Sequence, residues 1–177
     1  MNLPAETALT ISPKLCERAQ AILKTLKNKG LSIVTAESCT AGMIAAVLSR
    51  ADGAGEVLHG GFITYTKAHK QTALGVSREL LRDRGAVNEE VVKQLATGAL
   101  RRSPASFSLA VSGVLGPEED EDGNPVGLVY FCCMKSAQEP VVVKEEFGKK
   151  EPAQLLQLTI ARAFELIESC VGEPRAA

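Results

Sequence analysis

A single three-layer α/β domain, with a mixed sheet and helices on both faces, is the fold class that the sequence predicts. Three observations point to it. Segments of helical and of strand periodicity alternate along the chain. The strands are too interrupted by helices to form a sandwich. The chain has 177 residues, 45% of them hydrophobic, enough for one substantial core, and it carries no internal repeat or low-complexity linker.

Each element follows from local pattern. Leu15, Ala19, Ile22, Leu23 and Leu26 recur at helical spacing after Pro13, and Gly30 stands where a helix should stop, which predicts a helix over 14–29. Leu31, Ile33 and Val34 form a short strand that runs into Glu37-Ser38-Cys39-Thr40 and then the apolar stretch Met43 to Leu48. That order reads as strand, tight turn and helix, with hydroxyls at the turn. Phe62, Ile63, Tyr65 and Thr66 suggest a second strand after a flexible Gly60-Gly61, and Lys67 to Gln71 open a short helix. Asn88 with Glu89 and Glu90 reads as a cap and acidic first turn for a helix over 89–102. The runs 107–113, 126–134 and 140–147 read as strands, and 151–170 as a closing helix with Pro152 in its first turn. The domain then occupies 14–171, between tails at 1–13 and 172–177.

Composition narrows the function. Lys plus Arg number 20 against 21 Asp plus Glu, a formal net of −1, and aromatic residues make up only 4% with no Trp. That balance argues against nucleic-acid binding, and the few aromatics against a base-stacking platform or an aromatic cage. The first ten residues lack the basic region and apolar run of a signal peptide, and no segment approaches the roughly 18 apolar residues that cross a bilayer. The expectation is a cytoplasmic protein without a membrane partner. Five scattered cysteines with no C-x-x-C argue against a disulfide scaffold or a zinc site, so no metal is expected. Cys132 and Cys133, adjacent on a strand, should point to opposite faces and pack in the core.

The turn at 35–42 is the most informative segment. A serine at a helix N-terminus faces unpaired N–H groups and a partial positive charge, so Ser38 there can attack a carbonyl while neighbouring amides hold the oxyanion. Ser38 or Thr40 can equally be a plain helix cap. A G-x-S-x-G elbow is absent, since Ala36 and Thr40 hold the glycine positions, and the histidines are His59 and His69 alone. Lys67 and Lys70 are the other candidate bases, provided burial or nearby positive charge lowers the lysine pKa. A Cys39 thiolate with His69 as base is a further arrangement.

The run Thr35-Ala36-Glu37-Ser38-Cys39-Thr40-Ala41-Gly42 resembles the T-A-E-S-C-T-G-G signature of the CinA C-terminal domain family, the nicotinamide-nucleotide amidases also called PncC. The resemblance continues through Gly60-Gly61-Phe62-Ile63-Thr64-Tyr65, Leu74-Gly75-Val76, Gly85-Ala86-Val87, Ser112 to Pro117 and Pro125-Val126-Gly127, roughly residues 14–170 in one order. It implies deamidation of nicotinamide mononucleotide to nicotinate mononucleotide and ammonia, without metal or cofactor, by a homo-oligomer whose partner is a small pyridine nucleotide. It places the nucleophile on Ser38, the base on Lys70 rather than Lys67, and on Tyr65 a group that orients Lys70 or relays its proton. Backbone N–H groups around Cys39, Thr40 and Gly42 would hold the oxyanion, and Ser112 would add a hydroxyl to the pocket. Gly113 and Gly116 would admit the ligand closely, or form ordinary turns.

Three departures from the family pattern bear on substrate recognition. Glu118-Glu119-Asp120-Glu121-Asp122 replaces a glycine-rich loop; without these five carboxylates the net charge would be +4. The expectation is a solvated loop pointing away from the pocket, and not a calcium loop, because Pro125 and Phe131 stand where glycine and glutamate are needed. Around residue 150, Lys150 replaces an arginine and Gln154 a second one, losing two-pronged recognition of phosphate. Ala41 replaces the first glycine after S-C-T. The alternative to an amidase is therefore a divergent paralogue that binds a nucleotide or related ligand with little hydrolysis.

Overall fold

The computed structural model describes residues 11–172. The first ten residues and most of the expected tails at 1–13 and 172–177 lie outside them. The elements run α1 (Pro13–Asn28), β1 (Ile33–Glu37), α2 (Met43–Leu48), α3 (Ala54–Val57), β2 (Leu58–Ile63), α4 (Lys67–Leu74), α5 (Arg78–Arg84), α6 (Glu89–Arg101), β3 (Phe107–Gly113), β4 (Leu128–Lys135), β5 (Val141–Glu146) and α7 (Pro152–Val171). The sheet is mixed, in the order β2-β1-β3-β4-β5. β1 pairs parallel with β2 and β3, and β4 pairs antiparallel with β3 and β5.

Strand alternation sorts the core into two layers. Ile33, Leu109, Val111 and Phe131 face one way and pack with α1, α2 and α7. Val34, Ala36 and Ala110 face the other way and pack with α4, α5 and α6. Cys133 falls in the first cluster and Cys132 in the second, as their adjacency requires. The fold is the expected three-layer α/β domain, and among the described residues no helix is long and apolar enough to cross a membrane.

Three boundaries differ from the sequence pattern for visible reasons. β2 starts at Leu58 and includes Gly60 and Gly61, because a Cβ at Gly61 would come within 2.5 Å of the Thr35 hydroxyl on β1. The glycine therefore permits close strand pairing and is not a flexible lead-in. Tyr65 and Thr66 lie beyond the strand, where the Thr66 side chain accepts the His69 N–H and caps α4. β4 begins at Leu128, because Gly127 N donates to Val114 O and Leu128 N to Pro125 O, so the chain is still turning there. The parallel strands β1, β2 and β3 end together, and the segments after them converge on one side of the sheet, the usual place for a ligand crevice.

Candidate active site

Glu37, the last residue of β1, is 1% exposed. Its carboxylate accepts the Ile44 and Ala45 N–H groups at 3.0 and 2.8 Å and the Thr40 and Thr35 hydroxyls at 2.7 and 3.0 Å. The start of α2 is thus capped by Glu37, while its own N-cap position, Gly42, has no side chain. This arrangement holds the turn 38–42, in which Ala41 and Gly42 have φ of 49° and 91°. A Cβ at Gly42 would sit 2.8 Å from the Ile63 side chain, a second reason for glycine there. The amides of Ala41 and Met43 are taken by the carbonyls of Ser38 and Thr40. Those of Cys39, Thr40 and Gly42 meet no main-chain acceptor among the described residues.

Against this turn lies Lys70 of α4, 1% exposed, with its Nζ 2.7 Å from Ser38 Oγ. The same nitrogen donates to the Thr64 and Tyr65 carbonyls at 2.8 and 3.1 Å. Burial lowers the lysine from 10.5 to about 8, assisted by the charge of Lys67. The geometry suits a base. A carbonyl only accepts, so once Lys70 is neutral its two remaining N–H bonds go to Thr64 and Tyr65 and its lone pair faces the Ser38 hydroxyl.

The other sequence candidates fall into place around this pair. Lys67 donates to Asp122 at 2.6 Å and lies 2.9 Å from Glu121, contacts that hold its pKa above the ordinary value and keep it an ammonium. Tyr65 holds Lys70 through its carbonyl, and the residue, 67% exposed, lines the cavity. Burial pushes the Cys39 thiol up to about 12, and His69 is exposed on α4, so the Cys39–His69 arrangement is not assembled. The Thr40 hydroxyl is committed to Glu37, and Ser112 donates to Ala86 O at 2.8 Å. Gly113 lines the cavity, yet a Cβ there would meet Leu128 O at 2.6 Å, so close strand packing accounts for it; Gly116 lines the cavity, and a Cβ there would meet Glu118 O at 3.9 Å, an ordinary contact.

These groups border a cavity of about 880 Å³. Lys150 is exposed and is not among the residues that line it; α7 contributes Pro152, Ala153 and Leu156 instead. The acidic segment does not point away. Glu118, Asp120, Glu121 and Asp122 all line the cavity, because Asp122 bonds Lys67 Nζ and Ala86 N while Asp120 folds the loop by accepting Asp122 N and Asn124 N. Sequence reasoning missed the part played by Glu37. The signal was present as an acid flanked by Thr35 and Thr40, but it has meaning only when the acid is buried.

Comparison with known proteins bears on this site. The family model described as CinA C-terminal domain matches residues 16–171. The nicotinamide-nucleotide amidohydrolase PncC of Escherichia coli (strain K12) is 34% identical over 146 residues, 82% of this chain and 88% of that protein. The chain belongs to the CinA C-terminal domain family. A CinA-like protein of Prochlorococcus marinus (strain MIT 9313) is 46% identical over 113 residues, 64% of this chain but 26% of that protein. The matched segment thus spans about a quarter of the length of this longer relative. Among solved structures, the competence/damage inducible protein CihA from Agrobacterium tumefaciens superposes with a TM-score of 0.86 at 34% identity, covering 90% of this chain and 97% of that one. In this CinA C-terminal domain the signature run 35–42 is the turn that faces Lys70.

Proposed function

We propose that this CinA C-terminal domain is a serine/lysine amidohydrolase acting on nicotinamide mononucleotide or a closely related nicotinamide compound. One observation carries the reading: a buried lysine lowered to about 8 lies 2.7 Å from a serine hydroxyl, with two carbonyls fixing its other hydrogens. The name of the Escherichia coli relative, nicotinamide-nucleotide amidohydrolase, supports the choice of substrate.

In the first half-reaction neutral Lys70 takes the Ser38 proton as Oγ bonds to the carboxamide carbon, and the carbonyl electrons move onto its oxygen. Amides of the turn Cys39 to Gly42 receive that oxyanion. Collapse breaks the carbon–nitrogen bond, and the Lys70 ammonium returns its proton to the departing nitrogen, which leaves as ammonia. Water then attacks the Ser38 ester, giving its proton to Lys70, and the carboxylic acid leaves as Ser38 recovers a proton. An amine base and amide donors complete this scheme. Tyr65 keeps Lys70 in place through its carbonyl. The reading takes a small pyridine nucleotide as partner and a cytoplasmic homo-oligomer as the working form.

The acid-lined cavity favours one second reading, a domain that binds such a ligand with little hydrolysis. Incubation of the purified protein with nicotinamide mononucleotide, its riboside and nicotinamide decides between them. The amidohydrolase reading expects ammonia and the matching nicotinate product in equal amounts from at least one compound, and loss of both on Ser38→Ala. Absence of ammonia from all three would remove it, and turnover surviving Ser38→Ala would remove the nucleophile.

A further inference from the structure

The cavity that holds Ser38 and Lys70 is lined by one further amine, Lys67, that the proposed chemistry leaves unused. Lys70 has no hydrogen to offer a ligand, since Ser38 and the two carbonyls take all three. Lys67 is the cation a substrate phosphate would have to meet. It is already occupied, 2.6 Å from Asp122 and 2.9 Å from Glu121. Asp122 is seated: it accepts the Ala86 N–H, its side chain is 22% exposed, and a Cβ at Gly85 would lie 2.5 Å from its Oδ2. An ammonium has three hydrogens and these carboxylates take two, so a phosphate could reach Lys67 only through the third and would then lie beside both carboxylates, among the four acidic residues of the wall. Lys150, the other candidate for the phosphate, stands outside the lining residues. A nicotinamide substituted at its ring nitrogen carries a fixed positive charge, which this wall attracts once the phosphate is gone.

We propose that the ion-paired Lys67, with Asp122 and Glu121, is the specificity determinant of the site, and that it selects a cationic N-ribosyl nicotinamide without a phosphate over the mononucleotide. The proposal rests on the amidohydrolase reading for the identity of the ring. Binding of nicotinamide riboside and of nicotinamide mononucleotide to the Ser38→Ala protein, measured by calorimetry at low and high salt, tests it without turnover. The riboside should bind at least about tenfold more tightly at low salt, the order expected where several like charges act at short range, and salt should shrink that gap. Glu121→Gln/Asp122→Asn should narrow or reverse it by freeing Lys67. Glu118→Gln/Glu121→Gln, which leaves the Asp122 anchor in place, should narrow it less. Equal or tighter binding of the mononucleotide, a gap unmoved by both double variants, or binding of neither compound would overturn the proposal. Ammonia release by the unaltered protein is read separately, so a binding preference without turnover would count against the hydrolase and leave the charge selection standing.

Discussion

Lys70 is where burial becomes chemistry. A lysine near 10.4 is an ammonium at neutral pH, and removal from water is what brings this one to about 8. In the proposed scheme the base is the neutral amine, so kcat/KM should rise with pH, about tenfold per unit well below 8, and level off above it. Lys70→Arg keeps a cation that cannot be neutralised and should lose at least about a thousandfold in kcat/KM. Cys39→Ala should stay within about twofold of the parent and keep the same limb, since its thiol is held protonated. A pH–rate profile of the three proteins checks all of this. Little of it was legible residue by residue. In Lys67-Ala68-His69-Lys70 nothing marks one lysine as base, and only the packing of Lys70 with Leu74 on the buried side of α4 separates it from its neighbours. The family resemblance points to Lys70, and the ion pairs of Lys67 are a physical reason for preferring Lys70 in the proposed scheme.

At the scale of elements, the start of α2 depends on a carboxylate that belongs to β1. Glu37→Ala would leave the Ile44 amide and the Thr35 and Thr40 hydroxyls unpaired in the interior, costing about 3 kcal/mol of stability if each is only partly compensated. Because the same bonds hold the turn that carries Ser38, kcat should fall more than KM rises, by about a hundredfold. Urea unfolding beside steady-state kinetics of Glu37→Ala and Glu37→Gln tests this, with Gln expected to retain part of both. Elements with a full apolar stripe were readable: α1, α6 and α7 lie within a residue or two of the spans their periodicity predicts. α5 was not, since its seven residues RELLRDR bury only Leu81. β2 was displaced because a pair of glycines reads locally as a break, while the reason for Gly61 is a threonine on another strand.

For the whole molecule, the three-layer arrangement brings the ends of three parallel strands to one cavity, and the charge of that cavity differs from the charge of the chain. A net of −1 conceals a mildly basic domain with five acids in one loop, which the sequence displays plainly. The direction of the loop was not legible, because it is set by Lys67, 55 residues from Asp122 in sequence, and by the Ala86 amide. The central claim is that Ser38, with its proton taken by Lys70, forms a covalent ester with the carboxamide carbon. Hydroxylamine offered in place of water tests it most directly, by the yield of nicotinoyl hydroxamate from nicotinamide mononucleotide or its riboside. The account predicts hydroxamate from the parent protein and none above background from Ser38→Ala or Lys70→Ala. Hydroxamate formed equally by the Ser38→Ala protein, or ammonia released by the parent with no hydroxamate, would contradict it.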